Sequence, residues 1–340
     1  MKLLYAFTAA VALTALSTGG ASAQQMLSTV KSNGSLKCGV STGVAGFSAP
    51  NDKGEWAGFD VDYCHAVSAA IFGDPNKVSF TPLTAKDRFT ALQSGEIDLL
   101  ARNTTWTMSR DVNLGLDFVG VNYYDGQGFM VRKDLGVKSA LELDGASVCI
   151  QTGTTTELNL ADFFRTHKMK FESVVVDTAP QAREAYEAGR CDVYTTDASG
   201  LAAQRSTMAD PSAHVILPEI ISKEPLGPAV RQGDQNWSDI GRWVLFALFN
   251  AEEMGITSQN VDEMKSSSTN PEVRRMLGVE GDFGQQLGLS NDWAYNAIKM
   301  VGNYGEIFER NIGVNTPVGL ERGLNALWTD GGLIYGMPIR

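Results

Sequence analysis

Histidine and cysteine are scarce in this 340-residue chain, with three of the first and four of the second. So few histidines leave little material for imidazole acid–base work. No cysteine pair has the C-x-x-C spacing, which argues against a structural zinc site. Walker A, G-x-G-x-x-G, G-x-S-x-G and H-E-x-x-H motifs are all missing, which removes the common nucleotide-binding, hydrolase and metalloprotease readings. Carboxylates are plentiful, so a carboxylate-based enzyme stays open. Positive charge is in deficit: 28 Lys and Arg stand against 39 Asp and Glu, a net charge of −11. Such a field repels phosphate backbones and anionic lipid, so nucleic acid is not an expected partner. No apolar run reaches the roughly 20 residues that span a bilayer. What is present is a 43% hydrophobic composition, enough for packed cores, over a length that suggests two domains.

Residues 1–23 read as an export leader. Lys2 supplies the charged start, an apolar stretch follows to Leu16, Gly19 and Gly20 break it, and Ala21-Ser22-Ala23 is a small-x-small cleavage site. Cleavage after Ala23 leaves Gln24 first, with no cysteine to carry a lipid. The expected location is the periplasm, reached through a cleavable signal peptide. There, Cys38, Cys64, Cys149 and Cys191 meet an oxidising medium, where four cysteines allow three pairings; buried free thiols are the alternative.

Short β-branched runs then alternate with amphipathic stretches. Strands are expected at 36–40, 78–83, 97–101, 147–151, 173–177, 191–196 and 214–217. Helices are expected at 59–72, 87–94, 155–166, 180–188, 198–208, 237–253, 291–301 and 304–310. This alternation predicts parallel-rich α/β sheets. An internal echo supports two similar lobes. The run 91–98 resembles 185–192, each with a helix ending at a glycine, Gly95 or Gly189, suited to a left-handed C-terminal position. Crossings between lobes are expected at Gly126-Gln127-Gly128 and Leu226-Gly227-Pro228. The tail from Asn236 is read as rejoining the first lobe.

Three segments follow predicted strands, where open α/β sheets bind ligands. Asn103-Thr104-Thr105-Trp106-Thr107 with Arg110 offers hydroxyl and guanidinium donors suited to a carboxylate. Gly153-Thr154-Thr155-Thr156-Glu157 opens a helix whose free N–H groups attract anions, though Thr-x-x-Glu is also an ordinary capping box. Asp197 is either a partner for an ammonium group or a helix N-cap. Together they lay out donors and a carboxylate for a zwitterion.

With these residues in view, Gly58-Phe59-Asp60-Val61-Asp62 resembles the signature of family 3 periplasmic solute-binding proteins, the amino acid receptors of ABC importers. The runs 88–98, 103–111, 151–157 and 188–197 extend the match, and coverage runs from about residue 35 to 255. Chain length, the Asn-Thr-Thr-Trp-Thr segment and the tail look like the general L-amino acid-binding branch. The resemblance implies an α/β, two-lobed periplasmic binding protein fold with a hinge and a C-terminal helical extension. Lobe one would take 24–128, lobe two 129–228, and 229–340 would return to lobe one and form the extension.

The resemblance also implies a function: a receptor, not an enzyme and without a cofactor. It would capture several L-amino acids, with Glu, Gln, Asp and Asn among the better ones. It would deliver them to an inner-membrane permease and its ATPase. Arg110 would hold the ligand α-carboxylate, with Thr105, Thr154 and the Thr155 N–H as donors. Asn103, through its carbonyl, and Asp197 would face the α-ammonium. Phe47 would pack on the ligand, and Arg102 would favour acidic or polar side chains. Two aromatic positions that clamp basic side chains in relatives are Val44 and Ala85 here, which points to broad specificity; Ala85→Phe is expected to narrow it. Disulfides are expected as Cys38–Cys64 and Cys149–Cys191, each inside one lobe. The alternative is an exported enzyme on this scaffold, such as a cyclohexadienyl dehydratase-like lyase. A sensory module lacks a following membrane or signalling segment.

Overall fold

The computed structural model describes residues 25–340, so the export leader expected at 1–23 lies outside the described residues. Two five-stranded sheets form two lobes. In the first, Leu36–Val40 pairs in parallel with Val78–Pro82 on one side and Leu99–Leu100 on the other. Ala229–Arg231 then runs antiparallel between Leu99–Leu100 and Leu116–Phe118. The second sheet repeats this plan. Ala146–Gln151 pairs in parallel with Phe171–Val176 and Val193–Asp197, and Gln127–Arg132 runs antiparallel between Val193–Asp197 and His214–Ile216.

The echo in the sequence corresponds to a repeated turn. Gly95 and Gly189 both close a helical segment at positive φ, 83° and 71°, where a side chain would be strained. Asp98 and Asp192 follow. Asp98 Oδ2 accepts from the Lys37 N–H at 3.0 Å, and Asp192 Oδ2 from the Ser147 N–H at 3.1 Å. In each lobe a carboxylate thus pins the start of the second strand of the sheet, Leu36–Val40 or Ala146–Gln151.

The lobes are joined by a two-stranded ribbon in which Tyr123–Asp125 pairs antiparallel with Glu224–Leu226. Gly227 is needed at its exit, because a Cβ there would lie 2.0 Å from the carbonyl oxygen of Gly120. Strand Gln127–Arg132 opens the second sheet, so the boundary expected between 128 and 129 falls inside a strand. The disulfides are Cys38–Cys64 and Cys149–Cys191. Neither crosses the ribbon, so neither restrains it.

Beyond the return strand, helix Gln235–Glu253 packs on Phe59–Phe72, and Trp293–Val301 and Tyr304–Asn311 cover the same face. Phe59, Phe249, Tyr304 and Phe308 meet there, mostly edge to face. The extension therefore enlarges the core of lobe one. A first helix, Gln25–Asn33, was not expected from the sequence; Asp234 Oδ2 holds its Met26 N–H at 2.8 Å. Among the described residues no helix is long and apolar enough to cross a membrane.

Candidate functional site

A cleft between the lobes is lined by Val44, Arg88, Arg102, Asn103 and Thr105 from lobe one. From lobe two come Gln151, Thr154, Thr155, Thr156, Ala179, Tyr194, Thr196, Asp197, Ser199, Gly200 and Gln204. Most of the lobe-two residues lie at the carboxyl ends of strands Ala146–Gln151 and Val193–Asp197 or on the helices that follow. The lobes touch across it. Gln204 Nε2 donates to the Gly43 carbonyl at 3.2 Å, and the hydroxyls of Thr105 and Thr155 are 3.4 Å apart. The cleft is closed.

Lobe one is basic along the cleft and just behind it. Arg88, Arg102 and Arg110 are all buried, with 2%, 6% and 7% of their surface exposed. Burial pulls Arg102 down to about 10, partly offset by Asp60. Burial also lowers Arg88, well below the usual arginine range, and Arg110, which Glu224 and Asp197 partly restore. Arg88 Nη1 reaches the carbonyls of Arg102 and Asn103 and the Thr104 hydroxyl, at 3.3–3.5 Å, and so supports the 102–104 loop. Asn103 sits in the left-handed region at φ 42°, which asparagine tolerates better than most residues. Asp60 Oδ2 holds the Asn103 N–H at 3.1 Å. Burial raises the Asp60 carboxyl to about 7 against that bond. The Asn103 Oδ1 and Arg88 Nε atoms are buried without a partner among the described residues.

The facing groups are acidic. Burial pushes Asp197 well above the usual carboxylate range, and the charges of Asp125 and Glu224 push it further. Burial likewise raises Asp125, to about 6, although the Ser199 hydroxyl and the Ser199 and Gly126 N–H groups bond to it. Asp197 occupies the N-cap position of helix Ala198–Arg205 but makes no side-chain capping bond. Its carboxylate is therefore not spent on the helix.

Six of the eight residues singled out from the sequence line this cleft: Arg102, Asn103, Thr105, Thr154, Thr155 and Asp197. Arg110 and Phe47 do not. Arg110 lies behind the wall, with Nη1 on the Thr105 carbonyl at 2.9 Å and its guanidinium 5.1 Å from the centre of the Phe89 ring. Phe47 is fully buried, edge-on to Phe59 and Tyr123. An apolar ring in that first loop completes the core of lobe one instead of facing a ligand.

The threonine hydroxyls also differ from expectation. Thr105 Oγ1 donates to Glu224 Oε2 at 2.6 Å, and Thr155 Oγ1 to the same oxygen at 2.9 Å. A hydroxyl carries one proton, so neither is left to donate to a ligand in this arrangement. Thr154 Oγ1 donates to the Gln151 carbonyl at 2.7 Å, and Glu157 accepts from the Gly153 N–H at 2.8 Å, so the Thr-x-x-Glu capping box does not form. The remaining donors here are backbone N–H groups at the start of helix Thr156–Thr166. Arg102 turns its Nε to the Leu83 carbonyl at 3.0 Å.

The model of the bacterial extracellular solute-binding proteins, family 3, matches residues 36–255. The chain belongs to this family. The general L-amino acid-binding periplasmic protein AapJ of Rhizobium johnstonii is 61% identical, over 98% of each chain. The glutamate/glutamine/aspartate/asparagine-binding protein BztA of Rhodobacter capsulatus is 58% identical, over 98% of this chain and 99% of its own. A solved ABC transporter/periplasmic binding protein from Brucella ovis with glutathione bound is 62% identical, with a TM-score of 0.90. That match covers 92% of this chain and 99% of the other. The two lobes, the ribbon and the cleft are thus those of a family 3 solute-binding protein, and the C-terminal extension is shared with relatives matched over nearly their whole length.

Three contributors escaped the sequence reading. Glu224 sits in a Glu-Pro pair with no periodic signal, and Asp125 lies just before an expected crossing. Arg88 was seen only as part of a motif; its position one turn before Leu92 on a buried helix face was the available clue.

Proposed function

We propose that this family 3 protein is a periplasmic receptor that binds the zwitterionic head of L-amino acids and hands them to an ABC permease. The observation that carries the reading is the charge layout of the closed cleft, with buried arginines on lobe one opposite unspent carboxylate on lobe two. A free amino acid brings a carboxylate and an ammonium and satisfies both. Arg110, acting from behind Thr105, and the N–H groups at the start of helix Thr156–Thr166 are the partners proposed for the α-carboxylate. Asp197 and the Asn103 carbonyl are proposed for the α-ammonium. Contacts made to both lobes at once favour the closed form, the one a permease would recognise.

The name of the Rhodobacter capsulatus relative supports acidic and amide amino acids as ligands, and Arg102, which lines the cleft, is the charge proposed to face their side chains. They also support a non-enzymatic role, since the relatives are binding proteins. A second reading extends the ligand class. Glutathione, bound in the Brucella ovis relative, carries a γ-linked glutamyl group whose α-amino and α-carboxylate groups are free. It therefore presents the same head with a longer tail. Calorimetry of the mature protein against the twenty L-amino acids and glutathione, with product analysis, tests both. Saturable binding without product supports the receptor; turnover would replace it with the enzyme.

A further inference from the structure

We infer that Glu224, in the connecting ribbon, is a positioning residue that fastens the two lobes in the closed arrangement and thereby sets the affinity for every ligand alike. It deepens the receptor reading above, and its ligand arm rests on that reading.

Glu224 is 1% exposed and belongs to neither sheet. Its Oε2 takes the Thr105 hydroxyl of lobe one and the Thr155 hydroxyl of lobe two. Its Oε1 takes Asn159 Nδ2 and the Ser222 hydroxyl, each at 2.7 Å. All four donors are neutral side chains. They meet a buried carboxylate, and hydrogen bonds to a charged acceptor are the stronger kind.

The geometry makes this set specific to closure. One oxygen can bridge Thr105 and Thr155 only while their hydroxyls lie close together, and they are 3.4 Å apart here. Thr155 and Asn159 ride together at the start of a lobe-two helix, one turn apart. Thr105 stays with lobe one, because its neighbours are tied to the ribbon: the Trp106 N–H donates to the Pro225 carbonyl at 2.8 Å, and the Gly227 N–H to the Thr104 carbonyl at 2.9 Å. When lobe two swings out, Glu224 can follow one lobe but not both. The bridging bonds therefore stabilise the closed state before any ligand arrives. Apparent affinity falls in proportion to the fraction of molecules able to bind in the closed form, so a lost latch weakens all ligands by one common factor.

The experiment uses the full mature chain as wild type, Glu224→Ala and Glu224→Gln. Radius of gyration is measured by X-ray scattering without ligand and with saturating L-glutamate, and Kd is measured by calorimetry for Glu, Gln, Asp and Asn. Without ligand, Glu224→Ala is expected to be larger than wild type; with glutamate the two should coincide. Its four Kd values should rise together by about tenfold. Glu224→Gln keeps the shape and one acceptor oxygen and should fall between; it carries the test if the alanine variant does not fold. Unchanged ligand-free dimensions would overturn the inference. So would a Kd change confined to some ligands, or a lower melting temperature with dimensions and Kd intact. If wild type binds none of the four amino acids, the receptor reading fails, while the ligand-free scattering comparison still decides the latch.

Discussion

Gly153 of lobe two lies against the backbone of Lys86 of lobe one. A Cβ on Gly153 would sit 3.0 Å from Lys86 Cα and 3.1 Å from Lys86 N, and the glycine holds φ +75°. Two demands coincide on one residue: a left-handed turn after strand Ala146–Gln151, and room for the opposite lobe to close.

Gly153→Ala separates these demands. The strained φ costs about 1 kcal/mol in open and closed forms alike, so it lowers stability without touching closure. The clash with Lys86 exists only when the lobes meet, and it is with backbone, which cannot step aside as a flexible side chain would. Binding of every amino acid should weaken tenfold or more, with a drop of only a few degrees in melting temperature. Calorimetry paired with a thermal scan checks this; unchanged Kd values would mean that ligand-bound closure is looser than the contact seen here.

Arg110 and Asp197 are proposed for groups that all amino acids share. Arg110→Ala and Asp197→Ala should therefore weaken every ligand, whatever its side chain, by about 2–5 kcal/mol, the usual cost of leaving a buried charge without its partner. Arg110 stands behind Thr105, so its variant also removes the bond that holds the Thr105 carbonyl. Arg110→Lys keeps the charge but not the planar fork, and should recover only part of the loss. A variant that lost only some ligands in a titration panel would remove that residue from the head-group site.

Much of the scaffold was legible because local signals agreed with the packing. Helix Phe59–Phe72 and strand Leu36–Val40 occur as read. The helix is flanked by Gly58 and by a left-handed Gly73, and the strand is a short apolar run between polar turns. Strand 97–101 shrinks to Leu99–Leu100, because Asp98 is drawn off to hold the Lys37 N–H of the neighbouring strand. The site was legible where a motif follows a strand, as at Asn103, Thr155 and Asp197. It was not legible where a residue acts through tertiary approach. Nothing local marks Glu224 as the meeting point of two lobes, and nothing local separates Phe47 in the core from an aromatic against a ligand.

Acid should weaken binding, and binding should release protons. Burial holds both carboxyls high in the free protein, Asp125 at about 6 and Asp197 well above the usual carboxylate range, so in mildly acidic solution they hold protons. An ammonium brought against Asp197 favours its ionised form and expels that proton. Affinity should thus fall as pH is lowered, with Asp125 adding its part as pH drops through about 6. Stability of the free fold runs the other way. A carboxyl raised on folding contributes stability fully present below its unfolded pKa of about 3.9, and this is lost as pH rises through the folded value. Calorimetry in two buffers of different ionisation enthalpy at pH 6 reads the released proton directly. Equal heats in both buffers would show that Asp197 is already ionised without ligand.

The two small residues that suggested broad specificity are not equivalent in the structure. Val44 lines the cleft, whereas Ala85 has no exposed surface, and its carbonyl carbon lies 3.3 Å from where a Cβ on Gly153 would be. The narrowing first expected of Ala85→Phe therefore gives way to a different outcome. A ring at 85 has no cleft to enter and presses on the loop that lobe two brings against it. Forcing extra volume into a packed contact costs about 1–3 kcal/mol. Because the contact belongs to the closed form, that cost falls on binding. Ala85→Phe should weaken Glu, Gln, Asp and Asn together by roughly 10- to 100-fold. Val44→Phe adds the same ring at a residue that lines the cleft, and should shift preference toward side chains that stack on it. A titration panel with aromatic, basic, acidic and amide ligands on both variants separates the cases. Selective gain for stacking ligands in Ala85→Phe would show that the loop around Ala85 yields and that position 85 faces the ligand after all.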